Sequence, residues 1–217
     1  MQVSYIDHCG SDLTVVNAAR VSFDKRSSMD TEGNLKGTDE GLLEYLSKHK
    51  HFSPFNHTFI TLRVKAPIFV ARQLVKHEYM PWNEVSRRYV STPPEFFNPL
   101  VWRRAAEDKK QGSSDGVVVL LGDSLNTYTE SVEYALAAYE SMLDQGVAPE
   151  MARMVLPQSM YTEWYWSGTL KAWAKMYKLR MGADAQEETK DIAALCGLVI
   201  AEHFPKSWEA LTNAELV

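Results

Sequence analysis

Cysteine is nearly missing from this chain: two residues, Cys9 and Cys196, in 217. They lie far apart and form no CxxC pair, which argues against a disulfide scaffold and a zinc ribbon and fits a reducing compartment, the cytoplasm. No apolar run approaches the roughly 20 residues that a membrane-spanning helix needs. The opening MQVSYIDHCGSD has neither a basic region nor an apolar core, so no signal peptide is expected. Positive charge is not in excess either. Lys and Arg number 23 against 28 Asp and Glu, a net charge of −5, which argues against a general nucleic-acid binder. Glycine-rich phosphate loops are lacking: there is no GxGxxG and no GxxxxGK[ST], so neither a dinucleotide-binding unit nor a P-loop has support.

What is present is ordinary for a globular protein, with 45% hydrophobic and 24% charged residues, enough to bury a real core in one domain spanning 1–217. Residues 2–7 predict a short strand, and DLTVVNAARVSF a helix capped near Asp12. DKRSSMDTEGNLKGTDE is polar and turn-rich, a loop. Thr38 starts a helix with Leu42, Leu43 and Leu46 inward and Asp39 and Glu40 at its positive end. HTFITLRVK alternates and is rich in β-branched residues, a strand. Pro67 suits the first position of a helix PIFVARQLVKHE, which Pro81 ends by about Tyr79. RRAAEDKKQGSSDG is expected to be irregular, a long helix to run from about Val119 to Asp144 with Gly146 ending it, and Pro149 to open a short helix carrying Arg153. YTEWYWSGTLKAWAKMYKLRM and DAQEETKDIAALCGLVIAEHF complete a helical second half. Helices outnumber strands, and the expected class is α+β, mostly helical with a small antiparallel sheet.

Two clusters carry chemistry. His49, His51, His57 and His77 fall within one third of the chain, and four imidazoles suit zinc or iron. No HExxH accompanies them and carboxylates at ligand spacing are lacking, so no metal is expected. The second cluster is RQLVKHEYMPWNEVSRRY, Arg72–Tyr89, with six charged groups, a His and an Asn. On a continuous helix Gln73, Lys76 and His77 would share a face. After Pro81 come Asn83, Glu84, Ser86, Arg87 and Arg88. Arginine offers a fork matched to phosphate, serine a compact donor, and glutamate an acceptor for N–H groups or hydroxyls. A solvated helix and loop explain such a run as readily as a phosphorylated small ligand does.

The order of residues separates these readings. VKAPIFVARQ, a His-centred triplet, seven residues and then SxRY resembles the flavin-dependent thymidylate synthases, whose signature is Arg-His-Arg, seven residues, Ser. Here the register is kept as Lys76-His77-Glu78 and Ser86. NAARVSF, HFSPFNH, ARMVLP and KLRMGADAQ follow in family order, so the resemblance spans residues about 12 to 190. It implies an α+β homotetramer with active sites shared between subunits, FAD as prosthetic group, NADPH as reductant and methylenetetrahydrofolate as carbon donor. The reaction implied is methylation of dUMP to dTMP with release of tetrahydrofolate. By matching positions, Gln73, Lys76, Glu84, Ser86, Arg87, Arg88, Arg153 and Arg180 would hold dUMP, with Arg180 stabilising the uracil ring as an N3 anion. Ser22, Ser53, Lys76, His77, Asn83 and Glu84 would hold FAD.

The chain departs from the pattern in places. Glu78 reverses a charge beside an anionic cofactor, and Arg87, where a small residue is common, is the expected substitute cation. Lys76 keeps charge without the bidentate fork. Lys171, Lys175 and Asp184 stand where Arg, Asn and His are frequent in the family. Three other readings remain open on the sequence: a pyrimidine hydroxymethyltransferase, a nucleotide-binding protein without flavin chemistry, and a metal-dependent hydrolase.

Overall fold

Alternation, proline and caps set the elements of the computed structural model, which describes residues 1–107, 112–120 and 123–214. In chain order they are β1 (Gln2–Cys9), α1 (Asp12–Arg20), α2 (Gly37–Lys48), β2 (Phe59–Pro67), α3 (Ile68–Leu74), β3 (Trp82–Glu84), β4 (Trp102–Ala105) and β5 (Ser113–Val118). There follow α4 (Asp123–Asp144), α5 (Pro149–Ala152), β6 (Tyr161–Thr169), α6 (Leu170–Arg180), α7 (Glu187–His203) and α8 (Pro205–Asn213). Short 3-10 turns lie at Val21–Phe23, Ser53–His57 and Arg153–Val155. One sheet has the strand order β1-β2-β6-β3, and β4 and β5 form an antiparallel pair with Trp102 opposite Val118 and Ala105 opposite Ser113. The α+β class therefore holds.

Three local expectations need correcting. Residues 161–169 are a strand, not a helix: Thr162, Trp164, Trp166 and Gly168 are buried and alternate with more exposed residues, the two-residue period of a sheet. Aromatic and Thr-rich sequence favours the strand once one face packs on a core. Helix α3 stops at Leu74, where the His77 N–H turns back to the Leu74 carbonyl at 3.2 Å. Pro67 ends β2, and Gln73 alone of Gln73, Lys76 and His77 is helical. The segment 103–116, expected irregular, holds a hairpin whose strands carry no apolar alternation to announce them; residues 108–111 within it lie outside the described residues. Helix α4 is described from Asp123, and residues 121–122 of the expected Val119 start also lie outside the description.

The chain divides into two compact units. The first holds residues 65–73 and 84–164 with Met1. Phe69 and Phe97 meet edge-on at 5.7 Å, and the Tyr128 hydroxyl donates to the Phe97 carbonyl at 2.6 Å, tying α4 to the preceding loop. Gly146, at φ +82°, ends α4, with its N–H and that of Val147 closing on Leu143 and Met142 carbonyls.

The second unit holds residues 2–64, 74–83 and 165–217. Its core is built on Val15, Val16, Ile60, Leu62, Trp166, Trp173, Ile192 and Ile200, all fully buried. Trp173 packs edge-on against Trp166 at 4.7 Å and donates its indole N–H to the Ile60 carbonyl. Asp39 is buried, not a surface partner of the α2 dipole: Arg20 and the Ser27 hydroxyl both donate to it. Ser11 caps α1, which frees Asp12 for another helix. Its two carboxylate oxygens accept the N–H groups of Lys206 and Ser207 at 3.0 and 2.9 Å. Those are the second and third positions of α8, behind Pro205, which has no N–H to satisfy. Asp12→Ala should therefore lower unfolding stability by about 1–2 kcal/mol, read as a shifted urea midpoint at unchanged slope. A shift under about 0.3 kcal/mol, small beside the usual worth of a lost cap, would show that the cap is not formed.

Candidate functional site

Within the first unit a cleft of about 690 Å³ is open to solvent. Helix α3 turns one side to it, since Ile68 and Arg72, four residues apart, both line the cleft with Lys65 just ahead. Gln73 faces otherwise, its amide reaching the Phe69 carbonyl at 3.4 Å. The cleft is also lined by Tyr161, Thr162 and Glu163 of β6, by Glu84 at the end of β3, and by Val85, Arg87 and Thr92 of the following loop. The Pro149–Val155 turns add Glu150, Arg153 and Met154.

Four cations, Lys65, Arg72, Arg87 and Arg153, share the cleft with four carboxylates, Glu84, Glu95, Glu150 and Glu163, and among the described residues Lys65 alone of these cations is ion-paired. Lys65 is committed to Glu95, with both carboxylate oxygens within 2.8 Å. Glu84 accepts the Thr162 hydroxyl at 2.6 Å, so its carboxylate is fixed in orientation. Tyr161 remains a neutral phenol: burial raises its pKa, Glu95 adds to that, and Lys65 opposes it. Among the described residues Arg87 donates only to the Thr92 carbonyl, and Arg153 only to the Glu150 carbonyl, at 3.4 Å. Arg72 has no hydrogen-bond or ion-pair partner among the described residues. Three guanidiniums thus reach one cleft without a carboxylate of their own. Forked donors in that state fit a phosphate. Ser86 and Arg88 do not line the cleft; the Ser86 hydroxyl accepts from the Arg88 backbone N–H and Nε, and the guanidinium stacks on Tyr89 at 5.1 Å.

The second unit carries another cationic neighbourhood. Arg180, at the end of α6, donates from Nε to Nε2 of His77 at 3.0 Å. An imidazole nitrogen that accepts cannot also carry a proton. Burial, then the charges of Arg180 and Lys175, push His77 from 6.5 down to about 4. Burial also lowers the pKa of Arg180, which nonetheless stays charged at neutral pH. The Ser53–His57 turn packs against α1 and α6, and Lys171 lies over the Phe52 ring at 5.3 Å. Ser22, Ser53, Lys76 and Asn83 are exposed hydroxyl, ammonium and amide groups in the same unit, and Glu78 is exposed, where water screens its charge. Arg180, Lys175 and His77 are near enough to interact, and the exposed hydroxyl, ammonium and amide groups of this unit are donors of the kind that an anionic, pyrophosphate-bearing cofactor such as FAD takes.

Other features carry less. His49 and His51 pack against Tyr45, and among the described residues no three His, Cys, Asp or Glu side chains gather as a metal site. Gly112–Gly116 spells GxSxG, but it forms strand β5 with the Ser114 hydroxyl on the Arg104 carbonyl, not the strand-to-helix elbow of a nucleophile. A second cleft, about 530 Å³, has Lys48, Lys50 and Lys206 matched by Glu40, Glu44 and Glu209.

A family model described as thymidylate synthase complementing protein matches residues 4–206. The flavin-dependent thymidylate synthase of Thermus thermophilus is 38% identical over 208 residues, covering 96% of this chain and 74% of that protein. That of Kosmotoga olearia is 35% identical over 216 residues, covering 97% and 90%. The crystal structure of a UMP/dUMP methylase, PolB from Streptomyces cacaoi, bound with 5-Br dUMP is similar with a TM-score of 0.83 and 31% identity, covering 98% of this chain and 95% of that one.

The depressed His77 has a signed consequence for stability. Between about pH 4 and 6.5 the unfolded chain binds a proton at this residue that the folded chain does not. Stability is then fully present above pH 6.5 and falls as the pH drops toward 4. Replacing His77 by Gln should flatten unfolding free energy across that window, measured by urea titration at several pH values. An unaltered slope would mean that His77 is not held neutral.

Proposed function

The chain belongs to the thymidylate synthase complementing family, that of the flavin-dependent thymidylate synthases, and on that premise we propose that the first unit's cleft is the seat of dUMP. The protein methylates dUMP to dTMP. The methylene carbon comes from methylenetetrahydrofolate, tetrahydrofolate leaves, and FAD reduced by NADPH supplies the hydride that completes the methyl group.

The observation that carries the cleft assignment is the set of guanidiniums without carboxylate partners, with Glu84 fixed beside them. Arg153 and Arg87 neutralise the 5′-phosphate. Glu84, aligned by Thr162, accepts from a hydroxyl or N–H of the nucleoside. The family positions also give Ser86 and Arg88 to the phosphate and Gln73 to the nucleoside, although none of the three lines the cleft. By its family position Arg180 would stabilise negative charge at N3 of the uracil, making C5 the electron-rich carbon that forms the new bond. A fixed cation lowers the cost of that charge without moving at the moment of reaction. Ser22, Ser53, Lys76, His77 and Asn83 would hold FAD.

The family relationship also supports a homotetramer with active sites shared between subunits, and one catalytic domain over the whole of 1–217. Unpaired Cys9 and Cys196 fit work in the cytoplasm.

The test is mass spectrometry of the nucleotide after incubation with protein, FAD, NADPH and methylenetetrahydrofolate, with UMP run beside dUMP. The expected product is dUMP plus one CH2, lost when FAD or NADPH is left out. Arg153→Ala should raise KM for dUMP about tenfold or more, the usual worth of a charge-assisted hydrogen bond. A hydroxymethyl product would move the protein to the hydroxymethyltransferases, and unchanged dUMP with FAD bound would overturn the reading.

A further inference from the structure

Six cations, Lys65, Arg72, Lys76, Arg87, Arg88 and Arg153, compete for the phosphate role, and the structure separates them by what each is already doing. Lys65 is neutralised by Glu95. Arg88 stacks on Tyr89 and bonds Ser86 away from the cleft wall. Lys76 lies past the end of α3, in the other unit. Arg87 and Arg153 stand in the cleft with one backbone carbonyl each. Arg72 stands there with none.

We propose that Arg72 is a specificity-determining residue of this cleft, the guanidinium that binds the 5′-phosphate together with Arg87 and Arg153. The inference rests on the reading of the cleft as the dUMP seat. Three features argue for it. Arg72 shares the cleft-facing side of α3 with Ile68, so the helix, not a flexible loop, sets its position. Glu95 on the same wall is committed to Lys65, and among the described residues Arg72 forms no ion pair with the other lining carboxylates, Glu84, Glu150 and Glu163. Three forks from three elements, α3, the loop after β3 and the 3-10 turn at Arg153, surround one space, and a phosphate offers enough acceptor oxygens to bond all three. A phosphate lies at the end of the nucleotide remote from C5, so its contacts hold ground state and transition state alike.

Steady-state kinetics on the holoenzyme distinguishes the outcomes, with wild type, Arg72→Ala, Arg72→Lys and Arg153→Ala compared for dUMP. Loss of a charge-assisted contact predicts that Arg72→Ala raises KM for dUMP about ten- to a hundredfold, with kcat within about twofold. Arg72→Lys, keeping charge without the fork, should fall between. A KM for Arg72→Ala within twofold of wild type, while Arg153→Ala raises it, overturns the role of Arg72 and leaves the cleft assignment standing. No rise in KM for either variant, with wild type active on dUMP, overturns both. A fall in kcat at unchanged KM would also overturn it, since that marks a group acting on the reacting atoms.

Discussion

Three guanidiniums that line one open cleft without an ion pair among the described residues are solvated by water until an anion arrives, and the candidate site is organised around that arrangement. The chain has more acids than bases, a net charge of −5, so acidic partners are not scarce. Yet among the described residues Arg72, Arg87 and Arg153 line one cleft without an ion pair, although Glu84, Glu150 and Glu163 line it too and Glu95 is taken by Lys65. Elsewhere the chain pairs charge in the ordinary way. The second cleft sets three lysines against three glutamates, and Lys206 meets Glu40 at 3.2 Å. The contrast lies in pairing, not in the count of charges: the guanidiniums of the first cleft stay available to an anion that comes from outside the chain.

The same logic runs through the second unit by a different device. Arg180 is partly buried and donates to an imidazole that burial and neighbouring charge keep neutral. The bond to His77 orients the guanidinium, which is what a residue assigned to stabilise a ring anion requires. Lys175, which stands where the family often has Asn, adds positive charge to this neighbourhood and helps to keep the proton off His77.

Much of this was legible in the sequence, and the failures have physical causes. The strand at 59–67, the loop after α1, the caps near Pro149 and Gly146, and the membership of the family all follow from local patterns or ordered motifs. Strand β6 was misread because Leu170–Arg180 is a strong helix and its signal was carried back into YTEWYWSGT, whose two-residue alternation shows on its own. The β4–β5 hairpin is too polar to announce itself. The site suffered from one boundary: extending α3 to Glu78 put Gln73, Lys76 and His77 on a common face, whereas the helix ends at Leu74 and turns Arg72 to the cleft. Arg72 was visible, and counting residues from Ile68 rather than from His77 would have found it. No sequence rule could have told that Glu95, thirty residues on, would engage Lys65 and leave Arg72 unmatched.

The most direct measurement is a crystal structure of the protein with FAD and dUMP bound. The account predicts the dUMP phosphate within hydrogen-bond reach of Arg72, Arg87 and Arg153, with Glu84 on the nucleoside. A phosphate seated away from all three, or among the lysines of the second cleft, would contradict it.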